Sequence, residues 1–142
     1  MKSILALILS LTLVAFTADS IAGEWGYYAK DNEEIYGTWI NMDYKGMPAQ
    51  KIVRKHDGTE EIFMSANLKK PSYKSRYLIT GKWTDSESNI WYKVHWVGDW
   101  RQEGYSLIKI SNSGKTSESV TDTKYPSEID PKNNLYRKYT RE

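Results

Sequence analysis

The sequence predicts an all-β fold, a small antiparallel barrel of eight strands connected in up-and-down order. After residue 35, apolar side chains recur at every second position, which is the period of a strand that buries one face. Short turn-forming segments separate these runs, so successive strands should pair antiparallel. A sandwich of two sheets is the alternative. We favour the barrel because closure removes the exposed edges that an open sheet leaves.

Eight segments carry the strand pattern: 35–44, 49–56, 59–67, 75–84, 89–98, 104–111, 116–123 and 135–141. The fifth segment alternates most clearly, and its apolar face carries Ile90, Tyr92, Val94 and Trp96. In the fourth, Tyr77, Ile79 and Trp83 alternate in the same way, and Gly81 interrupts the row. A glycine inside a strand usually marks a bend, which a small barrel needs at its corners.

The connections between the segments agree with this assignment. The pair Asp57-Gly58 follows the second segment, and such a pair readily adopts the positive φ angles of a tight hairpin. Residues 85–89 and 112–114 are short, polar turns. Residues 125–134 contain two prolines and predict a long loop over one end of the barrel. Residues 23–34 are expected to form a partly ordered lead-in.

The N-terminus has the pattern of a secretory signal peptide. Lys2 precedes an apolar run, residues 4–18, that is shorter than the roughly 20 residues needed to span a bilayer. We predict a signal peptide over residues 1–22, with cleavage after Ala22 or alternatively after Ala18, and one barrel domain over residues 23–142. An uncleaved membrane anchor is the other interpretation. The mature protein should be secreted or periplasmic, without stable membrane insertion.

Charge gives no indication of a nucleic-acid partner. The chain has 20 basic and 18 acidic residues, a net charge of +2, and the two signs are interspersed along it. Such a mixture creates no long-range field that attracts polyanions. The local excess at Lys69, Lys70, Lys74 and Arg76 is interpreted as a solvated loop. Oligomeric state stays open at this point.

Catalytic and metal-binding signals are weak. The chain has two histidines and no cysteine, and no serine stands in a Gly-x-Ser-x-Gly context. Asp85, Glu87 and Asn89 have the spacing that opens a calcium loop, but Ile90 and Trp96 stand where that loop needs glycine and glutamate. We therefore predict a protein that is not an enzyme, with no catalytic residue, no metal and no cofactor.

The first strand carries a motif that resembles a known family. Tyr36-Gly37-Thr38-Trp39 resembles the Gly-x-Trp that opens the first strand of lipocalins and of their short lipocalin-like relatives in the calycin group. The resemblance implies that Trp39 plugs the closed end of an eight-stranded barrel and that an arginine from the last strand, Arg137 or Arg141, stacks across it. The last predicted segment is a strand, so the likeness is to the short members.

Two functions stay open. The chain has six tryptophans and eleven tyrosines, and these side chains suit partly solvent-exposed positions at the ends of barrels or on ligand-binding surfaces. In the first hypothesis, the barrel holds a small hydrophobic molecule against an inward row composed of Tyr77, Ile79, Trp83, Tyr92, Val94 and Trp96. In the second, that interior is packed shut, and exposed aromatic residues such as Trp91 and Trp100 recognise a carbohydrate or a protein partner.

Overall fold

A computed structural model describes residues 19–21, 24–30, 33–41, 50–64, 69–99 and 102–142. Most of the predicted signal peptide, residues 1–18, lies outside the described residues, as do Ala22 and Trp100. The described segments contain no helix with the length and apolarity needed to cross a bilayer.

The described residues form ten strands: β1 Asp19–Ile21, β2 Glu24–Gly26, β3 Gly37–Asn41, β4 Gln50–Arg54, β5 Thr59–Phe63, β6 Tyr73–Thr84, β7 Ile90–Gly98, β8 Glu103–Ser111, β9 Thr116–Asp122 and β10 Tyr136–Arg141. Strands β3 to β10 form one closed barrel in which each pairs antiparallel with the next, and β10 returns to pair with β3. The predicted eight-stranded up-and-down barrel is therefore confirmed. Its strands correspond one to one with the predicted segments.

The connections of the barrel alternate between its two ends. Turns 55–58, 85–89 and 112–115 lie at one end together with residues 33–36, and we call this the closed end. Gly58 has a φ of +83°, as expected for the predicted Asp-Gly hairpin. The opposite end, which we call the open end, is where β3, β5, β7 and β9 end and β4, β6, β8 and β10 begin.

Strand β6 contains a β-bulge at Thr80. Ile79 and Gly81 face consecutive residues of β7, which leaves Thr80 as an extra residue. Because side chains alternate with a period of two, one extra residue sends the rest of the strand to the opposite face. Trp83 therefore lies on the outer wall, 42 % exposed and opposite Trp91. The prediction that Trp83 faces the interior is wrong for this reason.

A buried apolar core fills the closed half of the barrel. Its most deeply buried side chains are Ile35, Trp39, Tyr77, Ile79 and Tyr92. Ile35 comes from the segment just before β3, and the other four come from β3, β6 and β7, so the core joins distant parts of the chain. The lead-in predicted for residues 23–34 contributes to the same core through Ala29, which is buried.

The segment around β2 lies against the outer wall of β6. Tyr27 and Ile79 exchange two backbone hydrogen bonds of 3.0 and 2.9 Å, which adds a short pairing to the edge of β6 that β5 leaves free. A Cβ on Gly26 would lie 2.3 Å from the Ile79 carbonyl oxygen, so only glycine allows this approach. Strand β2 also pairs with β1, and the predicted cleavage site after Ala22 falls between these two strands.

Candidate functional site

The open half of the barrel encloses a cavity of about 230 Å³. Apolar and polar side chains share its wall; the main ones are Ile52, Ile62, Val94, Trp96, Ile108, Arg54, Glu60, Ser106, Ser119 and Tyr139. Leu135 and Arg137 also line it, and Leu135 is exposed. The interior is therefore divided into a packed closed half and an open half with room for a small molecule.

The predicted ligand-binding residues divide between these two halves and the outer wall. Val94 and Trp96 line the cavity as predicted. Tyr77, Ile79 and Tyr92 face inward but are fully buried in the core. Trp83 is outside, as described above. The two interpretations of the interior, open or packed, are thus each correct for one half.

The cavity wall contains a buried ion pair that sequence analysis did not identify. Arg54 and Glu60 are 5 % and 8 % exposed, and Arg54 Nε donates to Glu60 Oε2 at 2.7 Å. Ser75 Oγ donates to the other carboxylate oxygen at 3.3 Å. The second guanidinium nitrogen, Arg54 Nη1, is buried and has no hydrogen-bond acceptor among the described residues. The pair therefore leaves one strong donor unsatisfied.

Two further polar contacts stiffen the same wall. Tyr139 Oη donates to Gln50 Oε1 at 3.0 Å, and Ser106 Oγ lies 2.7 Å from Thr121 Oγ1. Burial raises the pKa of Tyr139 well above its usual range, so its hydroxyl stays protonated and remains a donor. These contacts satisfy polar groups that would otherwise be costly to bury.

The closed end has the aromatic and guanidinium contact implied by the family resemblance. The Arg141 guanidinium carbon lies 4.3 Å from the centre of the Trp39 ring. Arg141 also donates to the carbonyl oxygens of Gly114 at 2.8 Å, Tyr36 at 2.6 Å and Glu34. Of the two candidate arginines, Arg141 is therefore the stacking residue. Arg137 instead lies at the cavity, where its Nη1 donates to two backbone carbonyls.

The backbone at Gly37 explains why this motif contains glycine. Gly37 has a φ of +111°, a conformation that other residues rarely adopt. A Cβ at this position would lie 2.9 Å from Arg141 Nη1. Glycine therefore permits both the turn into β3 and the close approach of the arginine to Trp39.

Four polar groups seal the closed end over the core. Tyr92 Oη donates to Glu33 Oε2 at 2.9 Å and to Glu34 Oε2 at 2.8 Å. Lys82 Nζ donates to the same two oxygens at 2.8 and 3.2 Å. Burial alone would raise the pKa of Glu34, but the hydrogen bonds from Tyr92 and Lys82 more than offset it, and that pKa is lowered. Access to the interior from this end is closed.

A second concave surface, which we call the outer groove, lies on the outside of the barrel. It has a volume of about 590 Å³, and its apolar lining consists of Trp83, Trp91, Leu107, Tyr125 and Pro126. The rings of Trp83 and Trp91 are parallel within 5°, with centroids 5.9 Å apart. Tyr125 to Ser127 form one side of the groove, so the loop predicted to cover an end of the barrel begins on its outer wall instead.

The polar groups of the outer groove are one acid, one base and a serine. Asp85 Oδ2 accepts hydrogen bonds from Trp91 Nε1 at 2.8 Å and from Asn89 Nδ2 at 3.0 Å. The Trp91 indole, together with the Asn89 side chain and turn amides, holds the pKa of Asp85 down at about 2. Lys93 Nζ lies 5.4 Å from the centre of the Tyr125 ring. The groove is thus aromatic, with balanced charge.

His95 is fully buried on the outer face of β7. It lies under the β2 segment, 3.0 Å from Glu24 and 3.1 Å from Glu103, and its ring stacks on Tyr105 at 4.4 Å. These contacts fix β2 to the barrel wall. They face neither the cavity nor the outer groove, so His95 belongs to the framework rather than to a candidate site.

Comparison of the chain with protein-family models, with curated proteins and with solved structures found no match. The fold is accordingly described by its own geometry, as an eight-stranded antiparallel barrel compatible with the calycin group.

Proposed function

We propose that this protein is an exported, lipocalin-like binding protein that holds a small hydrophobic molecule in the open half of its barrel. The observation that supports this proposal most is the cavity of about 230 Å³ between the packed core and the open end of the barrel. Val94, Trp96 and Ile108 lie on its wall. A concave, mainly apolar space with a few fixed polar groups is the usual form of a small-molecule site. The signal-peptide pattern at residues 1–22 supports export.

The cavity volume limits the size of the ligand. A cavity of about 150 Å³ holds benzene, so 230 Å³ has room for roughly nine heavy atoms. We therefore expect a ring-sized molecule to be enclosed. A long-chain lipid exceeds this volume, and most of its length would remain outside the barrel.

Titration with toluene tests the proposal. We expect saturable binding by calorimetry and chemical-shift changes at the methyl groups of Val94 and Ile108, because both line the cavity. In the variant Ser119→Phe, a ring replaces the small cavity-lining side chain, and binding should be lost. The matched variant Ser111→Phe places the same ring on the adjacent strand, facing away from the cavity, and should bind toluene normally. Absence of binding to the unmodified protein would refute the proposal.

The outer groove supports a second candidate function, recognition of carbohydrate on the outside of the barrel. A parallel pair of tryptophans, the exposed Trp83 and the partly buried Trp91, lies beside Asp85, Lys93 and Ser127 and offers aromatic surface together with hydrogen-bonding groups. Titration with soluble oligosaccharides should then perturb the Trp91 indole N–H resonance. Trp83→Ala should weaken binding, whereas Trp25→Ala, which removes a tryptophan that is 70 % exposed elsewhere, should not. Equal loss in both variants would count against the groove.

A further inference from the structure

We propose that the ligand of the barrel cavity is a small organic anion, a ring-sized carboxylate whose charged group is held by the Arg54 guanidinium. This inference rests on the proposed function and specifies the chemistry of the same cavity. Three observations support it: the unsatisfied donor on Arg54, the charges on the cavity wall and the rigid support of the ion pair.

The first observation concerns the hydrogen bonds of Arg54. A guanidinium carries five N–H donors in a fixed plane and has no acceptor of its own. Arg54 Nε is satisfied by Glu60, but the buried Nη1 has no acceptor among the described residues. A buried, unpaired donor is unfavourable in the free protein. A ligand oxygen placed against this face of Arg54 removes that penalty, and the gain appears as binding affinity.

The second observation concerns charge. Of the described residues that line the cavity, two are arginines, Arg54 and Arg137, and one is a carboxylate, Glu60. Both oxygens of Glu60 already accept hydrogen bonds, one from Arg54 and one from Ser75. The described residues of the wall therefore carry one more positive charge than negative charge. An anionic ligand balances this charge, a neutral ligand leaves it unchanged, and a cationic ligand adds to it.

The third observation concerns rigidity. Arg54 and Glu60 lie on neighbouring strands at directly opposed positions, and Ser75 is opposite Glu60 on the next strand. The sheet fixes this row of three residues, and the Nε contact orients the guanidinium. A planar guanidinium that is held in place suits a planar carboxylate, because little side-chain freedom is lost on binding. The apolar residues Val94, Trp96 and Ile108 are left to contact the body of the ligand.

Three isosteric probes test the inference on the unmodified protein. Benzoate, benzamide and benzamidine have the same shape and differ in charge, being anionic, neutral and cationic at neutral pH. We expect benzoate to bind roughly tenfold or more tightly than benzamide, since a charge-assisted hydrogen bond in a buried site supplies at least that factor. Benzamidine should bind most weakly. Calorimetry at low ionic strength measures all three affinities.

Variants locate the anion. Arg54→Gln alone leaves Glu60 without its partner and is prone to misfold, so the principal variant is the double substitution Arg54→Gln/Glu60→Gln, which replaces two opposite charges with neutral amides. It should bring the affinity for benzoate down to that for benzamide. Arg137→Gln leaves the ion pair intact and should reduce benzoate binding by a smaller factor. Lys115→Gln removes the same charge from an exposed turn at the closed end and should change neither affinity.

The outcomes separate this inference from the proposed function. If toluene and all three probes bind with similar affinity, the cavity is a binding site but has no anion selectivity, and the inference is overturned. If benzoate is preferred and the preference survives the double substitution, the anion is held elsewhere and Arg54 is not its partner. If none of the compounds binds, the proposed function fails, and the inference fails with it.

Discussion

At the scale of single residues, Arg141 connects the end of the chain to its beginning. Its guanidinium covers Trp39 and donates to backbone carbonyls of Tyr36, Glu34 and Gly114. Trp39 Nε1 in turn donates to the Ile35 carbonyl at 3.0 Å. The planar shape of the guanidinium and its multiple donors are both used here, so a lysine could not replace it.

Substitution of this arginine should destabilise the barrel. Arg141→Ala removes a cation–π contact and charge-assisted hydrogen bonds, and we expect the free energy of unfolding to fall by about 2–4 kcal/mol. Arg137→Ala on the same strand should cost less than about 1 kcal/mol, because Arg137 makes no contact with Trp39 and its Nη1 donates to carbonyls close to it in the chain. Urea unfolding of the two variants gives the comparison. Equal losses would contradict the role assigned to Arg141.

The lowered pKa of Asp85 predicts that this residue contributes to the loss of folding stability in acid. Its pKa is lowered from 3.8 to about 2, so in acid the unfolded chain takes up this proton before the folded protein does. The stabilisation from Asp85 is therefore complete above the unfolded pKa and is lost as the pH falls toward about 2. Asp85→Asn should flatten the decline in stability between about pH 5 and pH 2, as measured by urea unfolding. The exposed control Glu128→Gln should leave the decline unchanged.

At the scale of elements, β7 followed the sequence pattern and β6 did not. The two-residue period placed Tyr92, Val94 and Trp96 correctly on the inner face of β7. In β6, Gly81 correctly indicated a local irregularity, but a glycine does not reveal which neighbour is the extra residue. Thr80 is that residue because the pairing with β7 skips it. The position of a bulge depends on the register between two paired strands, so it cannot be read from the sequence of one strand.

The close approach of β2 to β6 leads to a second prediction about the strands. Gly26→Ala places a methyl group on the Ile79 carbonyl oxygen and should detach residues 24–27 from β6. Hydrogen exchange at the Ile79 amide, which donates to the Tyr27 carbonyl at 2.9 Å, should accelerate strongly. Gly81→Ala on β6 is the control, since its Cβ would meet Lys93 only at 3.5 Å. Retained protection in Gly26→Ala would show that β2 adapts to the added methyl group.

At the scale of the whole molecule, the sequence predicted the barrel well and the lining of the candidate cavity only in part. Strand number, order and closure follow from alternation and turns, which are local signals. Arg54 and Glu60 alternate with the inward residues Ile52 and Ile62, so their inward orientation could have been read from the period. Because both side chains are charged, a sequence reading places them on the surface. Burial of a charged side chain is tolerated when an opposite charge lies beside it, and here that charge comes from the neighbouring strand, which the sequence pattern does not reveal.

Because the barrel is closed by β10, we expect truncation at the two ends of the chain to have different effects. A chain that stops at residue 134 lacks β10, which exposes the edges of β3 and β9 and removes Arg141. We expect this chain to lose its folded structure and to associate. A chain that begins at residue 23 lacks β1 alone among the described strands, and because β1 pairs outside the barrel this chain should fold normally. Circular dichroism and size-exclusion chromatography distinguish the two results, and a folded monomer without β10 would contradict the role of closure.

The packed floor and the candidate cavity lie toward opposite ends of the barrel. The floor made by Trp39 and Arg141 lies among short turns, whereas β3, β5, β7 and β9 end at the opposite rim. Changes in the length or composition of the sequence segments that join these strands to the next ones, which we call the rim segments, leave the floor contacts untouched. Under the proposed function, proteins of this fold that bind other compounds should therefore differ at the rim while keeping the floor, and exchange of rim segments between them should transfer ligand preference.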